Sequence, residues 1–310
     1  MPVAKVAAFG WENCARLAND HAELIITLDV GPRILSYQAI GGSNVLRTFP
    51  AQLGKGGEAS YQVRGGHRVW VSPENEFTYA PDNGPVRFAI KEPDTIVASA
   101  EVTDPRKIRK EMTVSLAAKG STVRVEHRAV NEGPEPVTVG TWGLTVMAAG
   151  GWQIIPQPEL VEHREGDFQP DRVIVPWRYT DLSDSRWKIG RRFWFLRPEL
   201  GRPAAKVGFA HRERWVAHVF PRSLFIKSFD FEDGATYPDL GCNYETFTKS
   251  DFVELESLGP LRTLAAGESA SHMETWHLFD GIAPPDSVEE ENIEVWLQPF
   301  LSAAGLLSNL

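Results

Sequence analysis

The chain has 310 residues, a formal net charge of −9, and 42% hydrophobic against 24% charged residues, a balance that supports a sizeable core. That acidic balance argues against a general nucleic-acid binder or a protein held on an anionic membrane, since both need a dominant basic surface to meet phosphates. Cys14 and Cys242 are the only cysteines, too few for a disulfide scaffold or a thiolate metal centre, so two free thiols in a reducing compartment are expected.

Residues 1–19 include Lys5 but no apolar stretch of the kind an export signal uses, because Phe9-Gly10-Trp11-Glu12-Asn13 interrupts it with charge and amide. No other window is apolar for long enough to span a bilayer. The expectation is a cytoplasmic protein that acts on a small molecule and has neither a nucleic-acid nor a membrane partner.

The β-branched run at 22–30 closes at Gly31-Pro32, and a second run at 33–40 continues to Gly41-Gly42, which predicts a hairpin. Further short runs at 86–90, 95–102, 110–117, 122–130 and 137–147 are divided by turn sequences such as Asp82-Asn83-Gly84-Pro85 and Lys119-Gly120-Ser121. Short strands joined by turns, without helical segments between them, predict an all-β antiparallel architecture. From 152 to 203 the pattern loosens, with prolines at 156, 158, 170, 176 and 198, and long connections are expected there. Strands resume at 206–209, 215–220, 224–230, 243–248, 252–257 and 271–279.

Only the tail, 286–304, reads as a C-terminal helix. Asp286 is placed to cap it, and Glu289-Glu290-Glu291 would complement the helix dipole. Ile293, Trp296, Leu297, Phe300 and Leu301 recur at three-to-four spacing, forming an apolar stripe expected to dock on the sheets. No fixed-period repeat, low-complexity run or linker divides the chain, so one domain over 1–310 is expected.

The stretch richest in site chemistry is Gly65-Gly66-His67-Arg68-Val69-Trp70-Val71-Ser72-Pro73-Glu74. Strand alternation puts His67 with Val69 and Val71 on one face, and Arg68 with Trp70 on the other. The paired glycines permit unusual dihedrals or a close approach to the backbone. A second dense region is Tyr237-Pro238-Asp239-Leu240-Gly241-Cys242-Asn243-Tyr244-Glu245, where a turn carries Asp239 and Asn243 shares a strand face with Glu245. In the run Phe252-Val253-Glu254-Leu255-Glu256-Ser257, Glu254 and Glu256 share a face, roughly 6.5 Å apart along the strand. Carboxylates so placed repel unless they are exposed, paired with cations, or used.

The eight histidines form neither His-x-x-x-His nor His-Glu-x-x-His, and the cysteines add nothing, so no metal is expected from local motifs. Phosphate-cradling and dinucleotide fingerprints are also missing, and no cofactor is expected. Arg33 and Arg68 are the cations best placed in sequence to meet the carboxylates, and their guanidinium forks suit carboxylates or sugar hydroxyls. Trp70, Trp142, Trp152, Trp177 and Trp187, five of ten tryptophans, offer flat faces on which a sugar ring can stack.

The order of these features resembles the aldose 1-epimerase (galactose mutarotase-like) superfamily, and more closely its bacterial branch DUF4380. The residues that carry the likeness are Leu28-Asp29-Val30-Gly31-Pro32-Arg33-Ile34, the Gly65-Gly66-His67-Arg68 stretch, Val130-Asn131-Glu132-Gly133 through Trp142-Gly143-Leu144-Thr145, the region around Asp239, Asn243 and Glu245, and Glu254-Leu255-Glu256-Ser257-Leu258-Gly259-Pro260. The resemblance implies an antiparallel β-supersandwich whose concave face binds a sugar. It further implies that a glutamate late in the chain, here Glu256, takes the anomeric proton, with an arginine such as Arg68 binding the sugar.

In that superfamily a histidine protonates the ring oxygen from a strand after an Asn-x-Gly-type turn. The corresponding strand here reads Thr138-Val139-Gly140-Thr141-Trp142-Gly143-Leu144-Thr145 and has no histidine. His67 is the candidate to supply that proton from another strand, beside substrate contacts from Arg33, Arg68, Trp70, Glu74, Asp239, Asn243, Glu245 and Glu254. Three readings follow: an epimerase-type enzyme, a carbohydrate-binding protein that has lost the acid, and a lyase or hydrolase using the same cleft.

Overall fold

The computed structural model describes residues 3–166 and 168–307. Two large antiparallel sheets account for nearly all of its regular structure. In the first sheet, the strands Ala4–Ala8, Trp11–Ala18, Ala22–Thr27 and Arg33–Ala39 run in chain order to His67–Ser72. The order then jumps to Val137–Met147, Phe252–Leu258, Tyr244–Lys249, Ala205–Phe209 and Ile174–Pro176. The second sheet runs Trp187–Ile189, Phe193–Leu196, Trp152–Pro156, Trp215–Val219, Ser223–Phe229, Ser269–Asp280, Val123–Asn131, Ile108–Leu116, Thr95–Ser99 and Arg87–Glu92.

The jumps in the first sheet bring together segments almost two hundred positions apart in sequence, and the register settles which side chains meet. Arg33 pairs with Arg68, Arg68 with Leu144, Leu144 with Glu256, and Glu256 with Glu245. Directly opposed residues point to the same face, so these five form one cross-strand row. The next row sets Trp70 opposite Trp142. Alternation then sends Val69, Val253 and Leu255 to the other face, into the core between the sheets.

The C-terminal helix, Glu290–Ala303, buries Ile293, Leu297 and Leu301 against Ile154, Phe193, Phe195, Trp215 and Leu224, on the outer side of the second sheet. Each such buried side chain contributes about 1.5–3 kcal/mol of transfer free energy. The stripe docks as expected, but its start differs. Glu289 holds the N-cap position with no side-chain cap, and Asp286 does not cap the helix. Glu290 instead accepts the amides of Arg192 and Phe193 at 2.8 and 2.9 Å, which ties the first turn to the sheet.

The hairpin of 22–30 with 33–40 forms, in antiparallel register. By contrast, 152–203 is more than connection, since four short strands lie within it. Phe193-Trp194-Phe195-Leu196 has no alternation because both faces are covered, Phe193 and Phe195 by the helix layer and Trp194 and Leu196 by the inter-sheet core. Ala4–Ala8 and Trp11–Ala18, at the sheet edge, are two further strands that the reading of the sequence did not anticipate.

Candidate functional site

A pocket of about 580 Å³ opens on the outer face of the first sheet, floored by the row of Arg68, Leu144 and Glu256. Trp70 and Trp142 stand beside that row with ring centroids 5.4 Å apart, and Tyr61, Tyr79 and Tyr179 complete an aromatic wall. Hollows of 670 and 730 Å³ lie elsewhere, along 260–272 and beside the helix, but neither is lined by a buried carboxylate.

The pocket's central cation is Lys206. Its ammonium lies 2.6 Å from Glu245, 3.2 Å from Glu256 and 3.7 Å from Glu74, and sits over the rings of Trp142 and Trp177 at 4.6 and 4.7 Å. The backbone of Lys206 is anchored by hydrogen bonds from Thr180 Oγ1 and the Trp177 amide to its carbonyl, at 2.7 and 3.0 Å. Lys206 is a pocket residue that the sequence reading missed, as are Tyr61, Tyr79 and Tyr179; it appears there only as the first residue of a short strand. The available signal was a single lysine set between Ala205 and Val207, both of which turn into the core.

Glu256 is 1% exposed, and burial pushes its carboxyl up to about 7, against the attraction of Lys206 and with added repulsion from Glu254. One of its oxygens, Oε1, is buried with no hydrogen-bond partner. Glu254 also lines the pocket, and burial raises its carboxyl too, opposed by Arg68 and Lys206. Burial alone would strip the proton from Lys206, but Glu256, Glu245 and Glu74 together hold it well above the ordinary lysine range. One ammonium shared among three carboxylates therefore stays charged while the acids compete for it.

Of the substrate contacts expected from sequence, Arg68, Trp70, Glu74 and Glu254 line the pocket with Glu256. Arg68 donates to the Tyr61 hydroxyl and to Val63 O, its guanidinium 4.2 Å from the Trp70 ring centroid. Glu74 accepts the Tyr79 hydroxyl. Glu245 lies fully buried behind Lys206.

The other expected contacts belong elsewhere. Arg33 is spent beneath the pocket, donating to Val63 O and Gly65 O at 2.9 and 2.8 Å and pairing with Asp82 at 3.3 Å. Asn243 is buried, exchanging hydrogen bonds with the backbone of His211. Asp239 sits in the turn before it, outside the pocket, with its carbonyl accepting from the Cys242 thiol. The paired glycines serve backbone contact: a Cβ on Gly65 would lie 2.1 Å from Arg47 O, and one on Gly66 2.2 Å from Ile34 O. Both residues also take left-handed dihedrals.

The expectation that His67 meets Glu256 in one cleft is corrected. Neighbouring strand residues point to opposite faces, so placing Arg68 in the pocket sends His67 between the sheets, where it is fully buried. Its Nε2 lies 2.7 Å from His127 Nε2 and its Nδ1 2.9 Å from Thr145 Oγ1. Since His127 Nδ1 donates to the His272 carbonyl, His127 Nε2 accepts from His67, and His67 Nδ1 accepts the Thr145 hydroxyl. Burial first, then the neighbouring His127 and Lys227, hold His67 well below the usual imidazole range, so it stays neutral.

His67, His127 and Glu274 present ligand atoms within 4.8 Å of one another, the separation at which three side chains can share a metal ion. The cation they already face is Lys227. Its ammonium reaches Glu274 at 2.6 Å, Leu255 O at 2.9 Å and Thr145 Oγ1 at 3.1 Å. Trp276 and Ser257 donate to the two oxygens of Glu274, completing a network whose polar groups satisfy one another. Gly143 makes room for it, because a Cβ there would lie 2.3 Å from Glu274 Oε1.

No protein-family model and no curated protein matches the chain. Among solved structures, the fold is similar to that of the Slr1438 protein from Synechocystis sp. PCC 6803 (TM-score 0.57, 13% identity, covering 87% of this chain and 96% of that one). A galactose mutarotase-like protein from Lactobacillus casei ATCC 334 matches with a TM-score of 0.56 at 9% identity, over 86% of this chain and 100% of its own. A galactose mutarotase related enzyme from Lactobacillus acidophilus matches with a TM-score of 0.54 at 11% identity, over 89% and 99%. At these identities the likeness is one of fold, and the chain is an antiparallel, galactose mutarotase-like β-sandwich carrying a C-terminal helix.

Proposed function

We propose that the protein is a carbohydrate-active enzyme of the aldose 1-epimerase type, within the DUF4380 branch of that superfamily, that interconverts the anomers of an uncharged sugar. The observation that carries this reading is Glu256: a nearly fully buried carboxylate at the floor of an aromatic pocket, with one oxygen unpartnered and its pKa near working pH. Trp70 and Trp142 would stack on the sugar, and Arg68 and Glu254 would hold its hydroxyls. The lining sets Arg68, Lys206 and Lys249 against Glu74, Glu254 and Glu256, equal numbers of each sign, which favours a neutral pyranose over a sugar phosphate.

Glu256, deprotonated, takes the proton of the anomeric hydroxyl. The ring C–O bond then breaks as the ring oxygen takes a proton from an acid in the pocket, and the open-chain aldehyde recloses on either face. Proton abstraction by a well-placed carboxylate is worth roughly 10²–10⁴-fold in rate. Magnetisation-exchange NMR on a panel of aldoses should show the anomers of at least one neutral sugar exchanging faster than in buffer, and E256Q should abolish the excess while still binding. No excess exchange with any sugar would refute the enzyme. Ligand-dependent thermal stabilisation without exchange would instead identify a binding protein, a reading favoured by the lack of histidine in the pocket.

A further inference from the structure

If Glu256 is the base, a second group must protonate the ring oxygen, and among the described residues no histidine lines the pocket. We infer that Lys206 is this acid, delivering its ammonium proton to the ring oxygen as Glu256 removes the anomeric one. The inference rests on the anomer-exchange reading of the pocket.

The geometry comes first. Among the described residues, Lys206 is the only side chain hydrogen-bonded to Glu256, with Nζ 3.2 Å from Oε2. The anomeric hydroxyl and the ring oxygen are attached to the same carbon, so base and acid must stand within a few ångströms of each other. Glu256 lines the pocket with its buried Oε1 unpartnered, so that oxygen still has a hydrogen bond to make while the ammonium lies alongside. The ammonium itself is held over the faces of Trp142 and Trp177.

The charge balance also favours this pair. Before the step the pocket holds Glu256⁻ and Lys206⁺, and after it a neutral acid and a neutral amine. An ion pair becomes a neutral pair, and no net charge is created in a buried site. Electrons balance: the O–H pair of the anomeric hydroxyl becomes the carbonyl π bond, the ring C–O pair moves to the ring oxygen, and that oxygen takes the lysine proton. Closure on either face of the carbonyl carbon returns both protons to where they began. Protonating Glu256 also removes one of the carboxylates that hold the lysine proton, so donation becomes easier within the same step.

The charged and titratable groups facing Lys206 are Glu74, Glu245, Glu254, Glu256, Tyr79, Tyr179 and Cys242. K206R keeps a cation among them but makes a far poorer proton donor. It should lose about 10²–10³-fold in kcat with KM changed only a few-fold. K206R retaining kcat within about threefold, while E256Q is inactive, would reduce Lys206 to a positioning charge and overturn the inference alone. No exchange by the wild type would sink the inference and the proposed function together. The wild-type pH profile gives a check that needs no variant. Its rate should stay level between about pH 8 and 9.5, whereas an alkaline loss centred in that range or below would point to a weaker-held proton and overturn the assignment.

Discussion

On the proposed reading, Glu256 carries opposing demands of stability and chemistry on one carboxyl. Its folded pKa of about 7 lies above the ordinary value of 4.5, so the folded state holds a proton that the unfolded chain gives up earlier. For a carboxyl raised in this way, the stabilising contribution is present below pH 4.5 and is lost as pH climbs to 7. E256Q should therefore melt a few degrees higher than wild type at pH 8, with the gap closing by pH 5, as read by thermal denaturation at both pH values. A variant no more stable than wild type at pH 8 would mean that Lys206 fully compensates the buried charge. At this scale the sequence was partly legible. The alternation of Glu254 and Glu256, and of Arg68 against His67, can be counted along a strand. That Arg33 and Asn243 are consumed by backbone carbonyls and amides cannot, because those partners come from remote loops.

At the level of elements, the helix and the strands taught different lessons. The stripe of Ile293, Leu297 and Leu301 was readable because a helix covering a sheet shows one apolar face. L297A should cost about 2–5 kcal/mol, measured by urea denaturation, because its side chain is fully enclosed against the second sheet. A cost below about 1 kcal/mol would mean that the helix is loosely held. The Phe193–Leu196 strand escaped notice for the opposite reason: covered on both sides, it shows no period at all. Strand order was equally hidden. Nothing local to Ala205–Phe209 says that it will lie two strands from Phe252–Leu258, yet that adjacency is what brings Lys206 to Glu256.

For the whole molecule, the largest inter-sheet core gathers residues from Ala15 to Leu278, and the Lys227 network crosses the same gap. On that basis we propose that the chain unfolds as one domain. Far-UV circular dichroism and tryptophan fluorescence should then trace coincident thermal transitions, and two separated transitions would divide the sheets or the helix into independent units. The row that runs from Arg33 through Arg68, Leu144 and Glu256 to Glu245 has a further consequence, one of length. Strands are spaced about 4.8 Å apart, so Arg68 and Glu256, two strands from each other, are about 9.5 Å apart at the backbone. On the proposed reading the sheet is a ruler: a ligand gripped by the guanidinium at one end and presented to the carboxylate at the other is one sugar ring long, and the hydrogen-bonding pitch of the β-sheet itself sets the size of the substrate.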